Sequence, residues 1–233
     1  MRKIFLITLL MLGFQLSLCA QQPKDYEQMP DGFVLLADEI PDVIQEIRYH
    51  STYNFVGARV NGYEEPVAII TRAAAEALKE VNKELMAAGY RIKVFDAYRP
   101  QRAVSHFVRW AKVIGDTLTK QSFYPEVDKR NLFKLGFIAS KSGHSRGSTI
   151  DLTLVDAKSG KELDMGGVFD YFGDLSHPFC QGITKEQATN RLLLRNAMLK
   201  HGFKPLSTEW WHFTLKNEPY PDTYFDFPIR SYK

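Results

Sequence analysis

Apolar residues between positions 72 and 88 recur at helical spacing, with Ala75, Leu78, Val81, Leu85 and Met86 on one face. Thr71 stands where an N-cap belongs and Gly89 stops the pattern, so the spacing predicts a helix over residues 72–88. The period changes to two over residues 91–98, which reads as a strand. Pro100 suits the first turn of a second helix, running to about Ile114 and ended by Gly115. Thr184 and Gln187 have the spacing of a capping box and open a third helix, to about Lys200, closed by Gly202. Residues 148–155 read as a central strand followed by a hairpin-like turn at Ser159-Gly160, and residues 210–216 as a last strand. Residues 33–36 and 43–49 suggest short strands, or one strand and a turn. Residues 116–140 have no clean period beyond a short helix after Pro125.

Strands and helices in irregular order predict an α+β fold, with a central antiparallel sheet flanked by helices. No Pro/Gly/Ser-rich linker divides the chain, so residues 21–233 form one expected domain, opening on a loose polar leader over residues 21–31. Residues 1–20 read differently. Arg2 and Lys3 precede an apolar run from Ile4 to about Leu18, and then Cys19-Ala20-Gln21-Gln22 follows, the form of a secretory signal cleaved after Ala20. The run is interrupted by Gln15 and is short for a membrane span. The rival reading is a lipid anchor on Cys19, since Leu16-Ser17-Leu18-Cys19 loosely resembles a lipoprotein signal. Either way the expectation is an exported protein, periplasmic or held on the cell envelope, with no transmembrane domain in the mature chain.

Composition changes this picture little. Of 233 residues, 45% are hydrophobic and 24% charged, ordinary for a globular protein. The net charge of +3 falls to +1 once Arg2 and Lys3 leave with the signal. No basic block stands out, so nucleic acid is not an expected partner. Cys180 would be the one cysteine of the mature chain, which excludes an internal disulfide and reads as a small apolar core residue.

The chemistry concentrates in two runs: Ser142-Gly143-His144-Ser145-Arg146-Gly147-Ser148-Thr149-Ile150-Asp151, and Glu209-Trp210-Trp211-His212. Together they offer two imidazoles and a carboxylate, plus a second carboxylate three residues before a histidine. A hydrolytic zinc site needs three N/O ligands with a position left for water, and a separate base for the water's proton. A loop turning at Gly147 into a strand can bring His144 and Asp151 to one point. Asp151 would lie on the sheet face opposite Ile150 and Leu152. In a regular strand Glu209 would point away from His212; a turn or bulge at Trp210-Trp211 would bring both to one site. Taken singly, each residue has a plainer reading: a loop hydrogen bond for His144, a turn cap for Asp151, a satisfied core histidine for His212.

These runs resemble the signatures S-x-H-x-x-G-x-A-x-D and E-x-W-H of peptidoglycan-type zinc peptidases, with Thr149 where the first has Ala. Phe95-Asp96-Ala97-Tyr98-Arg99-Pro100 narrows the resemblance to the zinc D-alanyl-D-alanine dipeptidases of the vancomycin-resistance type, peptidase family M15. Asp164-Met165-Gly166 with Phe169-Asp170, and Ile47-Arg48-Tyr49 with Asn54-Phe55, are similar to that family too; the resemblance spans roughly residues 35–215. It implies one Zn2+ per chain, on the sheet, held by His144, Asp151 and His212. It implies Glu209 as general base and then acid, and Arg99 stabilising the oxyanion. Asp170 would pair with the substrate ammonium, and Tyr49, Ser142 and Asp96 join it in the substrate-binding set, Asp96 by orienting Arg99. The implied substrate is the D-Ala-D-Ala dipeptide. Export favours salvage of wall dipeptides over resistance, which must act before wall precursors form. A carboxypeptidase or an L,D- or D,D-endopeptidase on longer wall peptides is the alternative within enzymes; a zinc-bearing wall-binding module is the alternative outside them. His50, His106, His177 and His201 lack paired spacing and read as structural.

Overall fold

The computed structural model describes residues 28–232, so the export signal and Cys19 lie outside the described residues. The elements, in chain order, are β1 (Phe33–Leu35), α1 (Leu36–Glu39), β2 (Ile44–Gln45), β3 (Ile69–Thr71), α2 (Arg72–Ala87), β4 (Tyr90–Asp96), α3 (Gln101–Lys112), α4 (Lys120–Phe123), β5 (Thr149–Asp156), α5 (Lys185–Lys200), β6 (Phe203–Pro205) and β7 (His212–Leu215). Thr71 ends a strand and begins a helix: its side chain accepts from the Ala74 amide as the N-cap of α2. The same hydroxyl meets Ser148 Oγ at 2.7 Å, tying the helix start to the strand that carries Asp151.

The apolar stripe of α2 buries Ala74, Ala75, Leu78, Val81 and Leu85 against β4 and α5. It stops there; Met86 is 38% exposed and does not belong to the core. Helix α3 buries Ala103, Val104, Phe107, Trp110 and Ala111, and ends at Lys112, two residues earlier than its pattern suggests. Val113 and Ile114 then turn outward and lie exposed. The capping box at Thr184 and Gln187 is present in both directions. The region after Gly115 differs from expectation. Helix α4 precedes Pro125, and only a 3-10 turn, Lys129–Asn131, follows it.

Five strands form the main sheet in the order β2-β4-β5-β7-β6, beside a two-stranded ribbon of β1 and β3. The sheet is mixed rather than purely antiparallel, because β2 runs parallel to β4. The chain between them contains β3 and α2, the long crossover that a parallel pair requires. The remaining pairs are antiparallel. Strand β5 is central and buried over seven of its eight residues. Residues 43–49 give only the two-residue β2 and then a 3-10 turn, Arg48–His50.

Two local features aim this sheet at one spot. The β4–β5 ladder slips between Val94 and Asp96, leaving Phe95 as a bulge. Beyond the bulge Asp96 pairs with Asp151, and Asp151 pairs in turn with His212 on β7. A glycine supplies the second feature. Gly147 has φ +86°, and a Cβ there would fall 2.2 Å from the Phe33 ring, so a side chain is excluded by backbone and by space.

Thr149, the departure from the family pattern, lies opposite Thr214 on β7, and the two hydroxyls hydrogen-bond at 2.9 Å in a fully buried position. The substitution is therefore paired. Thr149→Ala leaves the Thr214 hydroxyl without this partner and is expected to cost about 1 kcal/mol in urea denaturation. Adding Thr214→Val should recover most of that loss, and equal stability of the wild type and Thr149→Ala would refute the pairing.

Candidate metal centre and active-site cleft

The row Asp96–Asp151–His212 is completed by His144 from the 3-10 turn Gly143–Arg146. Ser142 caps that turn, its Oγ accepting from the His144 amide. His144 Nδ1 lies 2.7 Å from the Ala97 carbonyl. A carbonyl can only accept, so Nδ1 carries a proton, the arrangement that leaves Nε2 as the nitrogen whose lone pair could bind a metal. That lone pair lies 3.2 Å from Asp151 Oδ2 and 3.2 Å from His212 Nδ1. His212 Nδ1 is 3.1 Å from Asp151 Oδ1, which is buried without a hydrogen-bond partner.

One ligand atom from each of His144, Asp151 and His212 lies within 4.8 Å of the other two, and each imidazole faces a different oxygen of Asp151, close enough together to share one zinc ion. Zinc–ligand bonds of about 2.0–2.1 Å set tetrahedral ligand–ligand edges of about 3.3 Å. The donor set of two imidazoles and a carboxylate also suits zinc. It is the one group of this kind among the described residues. Electrostatics point the same way. Burial alone would lower His212, but Asp151 and Glu209 outweigh it and push the imidazole up to about 10. Burial alone would raise Asp151, yet His144 and His212 hold its carboxyl below the ordinary range. The centre therefore demands positive charge.

The turn at Trp210-Trp211, just ahead of β7, brings Glu209 beside His212, as the sequence requires. Glu209 Oε2 lies 3.3 Å from His212 Nδ1, and its side chain keeps 34% of its surface exposed. It lines a cleft of about 280 Å³ together with Tyr49, Arg99, Ser142, His144, Asp151, Asp170 and His212. Aromatic wall comes from Phe55, Phe107, Phe137 and Phe172.

Arg99 is held from several sides. Its Nε donates to Asp96 Oδ2 at 2.9 Å, and Nη2 lies 3.5 Å from Asp151 Oδ2 and from Tyr49 Oη. The guanidinium faces the rings of Tyr49 and Phe107. Burial would depress its charge, but Tyr49 and Asp96 more than compensate. Nη1 makes no hydrogen bond among the described residues and is left for the cleft. Asp170 accepts from the Tyr49 hydroxyl at 2.8 Å. It has φ +64°, the one positive φ outside glycine among the described residues. Such a conformation at a cleft carboxylate is backbone strain at a site of function. Burial lifts the Asp170 carboxyl well above its usual range, Arg99 opposing.

Asp96 is wholly buried and is not among the residues that line the cleft; it holds Arg99, the part by which the sequence placed it in the substrate-binding set. Tyr63 donates to its other oxygen at 2.7 Å, and Asp96 serves as the fixed post on which Arg99 turns. Ser142 has two positions at once, capping the His144 turn and lining the cleft. Cys180 is not the core residue expected. It is half-buried and accepts from the buried Arg191. The other histidines stay outside the site: His106 accepts from the Asn61 amide, and His201 meets Glu84 at 2.7 Å.

The model of the D-Ala-D-Ala dipeptidase family, peptidase M15, matches residues 29–230. The chain belongs to this family. The D-alanyl-D-alanine dipeptidase of Enterococcus faecalis is 43% identical over 86% of this chain and all of its own length. Those of Enterococcus faecium and Streptomyces coelicolor are 41% and 38% identical, each again over its full length. Among solved structures, the vancomycin-resistance D,D-pentapeptidase VanY, determined with Zn(II), aligns with 68% of this chain and 78% of its own at 13% identity and a TM-score of 0.39.

Reading this dipeptidase-family sequence by motif missed Tyr63, whose hydroxyl fixes Asp96, and the Ala97 carbonyl that sets the His144 tautomer. Backbone carbonyls carry no sequence signal, and Tyr63 sits in no motif. A thermal-unfolding series tests the centre. Zinc at a hundred times its Kd should stabilise the protein by about 2.7 kcal/mol. A chelator should reverse the shift, and His212→Ala should abolish it; a melting temperature indifferent to zinc in the wild type would rule the centre out.

Proposed function

We propose that this protein hydrolyses the D-Ala-D-Ala dipeptide with one zinc ion held by His144, Asp151 and His212. The observation carrying this is the cluster of His144, Asp151 and His212, with Glu209 beside it and a buried Asp170 in the same cleft. Family membership and the names of the full-length relatives support the substrate. When bound, zinc supplies a Lewis acid and lowers the pKa of water towards ~7.

The chain's own residues do the rest. Glu209 is exposed enough to meet a water in the cleft and takes its proton as the water attacks the peptide carbon. The same carboxyl then returns the proton to the leaving amine. Negative charge grows on the carbonyl oxygen, where the free edge of Arg99 donates. Asp96, Asp151 and the two rings hold that guanidinium in place beforehand, so it need not reorganise during the reaction. Asp170 takes the substrate ammonium, with Tyr49 fixing its carboxylate. Its raised pKa reflects a buried carboxylate short of positive charge, which an ammonium group would supply. Ser142 orients the substrate from the opposite loop.

A free amino end is a requirement of this arrangement, which favours the dipeptide over longer wall peptides. An inert wall-binding module would have no use for Glu209 or for a preset Arg99. We further place the enzyme outside the cytoplasm, on the strength of the leader, working in turnover or salvage of peptidoglycan dipeptides.

Two variants separate the roles. Glu209→Gln should lower kcat by about 10²–10⁴ while the protein still takes up zinc, measured by metal analysis of the same sample. Asp170→Ala should sharply reduce kcat/KM for D-Ala-D-Ala and leave cleavage of N-acylated or longer peptides little changed. If the zinc-loaded wild type fails to cleave D-Ala-D-Ala but cleaves longer peptides, the carboxypeptidase or endopeptidase reading replaces this one.

A further inference from the structure

A dipeptide is a zwitterion, and the cleft as described answers only one of its ends. Asp170 provides for the ammonium; the carboxylate needs a cation or donors of its own. Besides the histidines, the lining holds two basic side chains, Arg99 and Lys141. Arg99 is already committed: Asp96, Asp151 and Tyr49 take its Nε and Nη2, and the reaction proposed above uses its remaining edge for the carbonyl oxygen. Lys141 is not committed. It is exposed and makes no ion pair with any described carboxylate.

Its ammonium instead rests over the ring of Tyr224, 4.8 Å from the centroid. A ring face orients a cation without neutralising it. The other cation near that ring is already balanced. Arg146 grips Glu218 through two hydrogen bonds, at 2.8 and 2.9 Å. Tyr224 is itself held beside the site, because its neighbour Phe225 donates to the Ser145 carbonyl. Lys141 directly precedes Ser142, on the loop that presents His144, so its long stem reaches the cleft from a fixed base.

We infer that Lys141 is the counter-ion for the substrate's C-terminal carboxylate, and that with Asp170 it makes the cleft selective for a peptide with both ends free. This rests on the dipeptide reading above. Lys141 positions substrate and takes no part in proton transfer. Tyr224 keeps the ammonium at the rim when substrate is absent.

Binding tests it apart from catalysis. In zinc-loaded protein bearing Glu209→Gln, calorimetry measures affinity for D-Ala-D-Ala and for its C-terminal amide, with and without Lys141→Met. The substitution should weaken the acid roughly fivefold, the scale of an exposed ion pair, and leave the amide unchanged. Lys141→Arg should restore most of the acid's affinity. In the active enzyme, Lys141→Met should raise KM for the dipeptide and move kcat little. Equal affinity of the Lys141→Met and Lys141 proteins for the acid overturns the assignment, as does equal weakening of acid and amide. Selective weakening of the acid in a protein whose wild type hydrolyses no D,D dipeptide would sustain Lys141 and overturn the proposed reaction. A protein that binds neither ligand overturns both.

Discussion

Two aspartates stand side by side at the end of a sheet, and both are almost completely buried. Asp96 and Asp151 face each other across the β4–β5 ladder. Like charges at this spacing, away from water, are costly unless positive charge surrounds them. Arg99 bridges the two, and His144 reaches both, one ring nitrogen towards each. His212 completes the enclosure from β7. Even so, burial keeps the Asp96 carboxyl above its ordinary range, against the pull of Arg99 and His144. A structure that accumulates carboxylates and then surrounds them with bases is arranged around a cation. The cleft, the preset guanidinium and the tautomer of His144 all follow from that need.

The row depends on strand register. A slip of one residue in β5 would turn Asp151 into the apolar layer and bring Ile150 or Leu152 to the site. The Phe95 bulge is what lets Asp96 enter the row at all, since an unbroken ladder from Val94 would set a different residue opposite Asp151. The ring it displaces is not wasted. Phe95 stacks on Phe169, next to Asp170, so the irregularity in β4 also braces the segment that bears the strained carboxylate.

Much of this could be read from the chain. Helices α2 and α5 announced themselves through period and caps, because Thr71, Thr184 and Gln187 act within one turn of their own positions. The candidate site was legible because His144, Asp151 and His212, with Glu209 beside them, lie in two short runs whose chemistry has few other uses. What stayed hidden depends on distant partners. The parallel pairing of β2 rests on a crossover through β3 and α2, and nothing within Ile44–Gln45 records it. The part of Asp96 in orienting Arg99 was legible from the motif, while the hydroxyl that fixes its other oxygen comes from Tyr63, far from it in sequence. Thr149 made no sense alone and becomes plain only with Thr214 opposite.

The last described stretch of chain, by contrast, carries no catalytic motif, yet the site leans on it. Phe225 ties to the Ser145 carbonyl, Glu218 to Arg146, and the Phe227 backbone both gives to and accepts from the Tyr98 hydroxyl. These links span many residues, and long-range closures are slow steps in folding. The His144 loop and the strand end bearing Arg99 are thus tied to residues 218–227. A change at Phe227, far from every metal ligand, would therefore loosen Phe33 and Tyr98 together, and with them the footing of the Gly147 turn and of the strand end bearing Arg99.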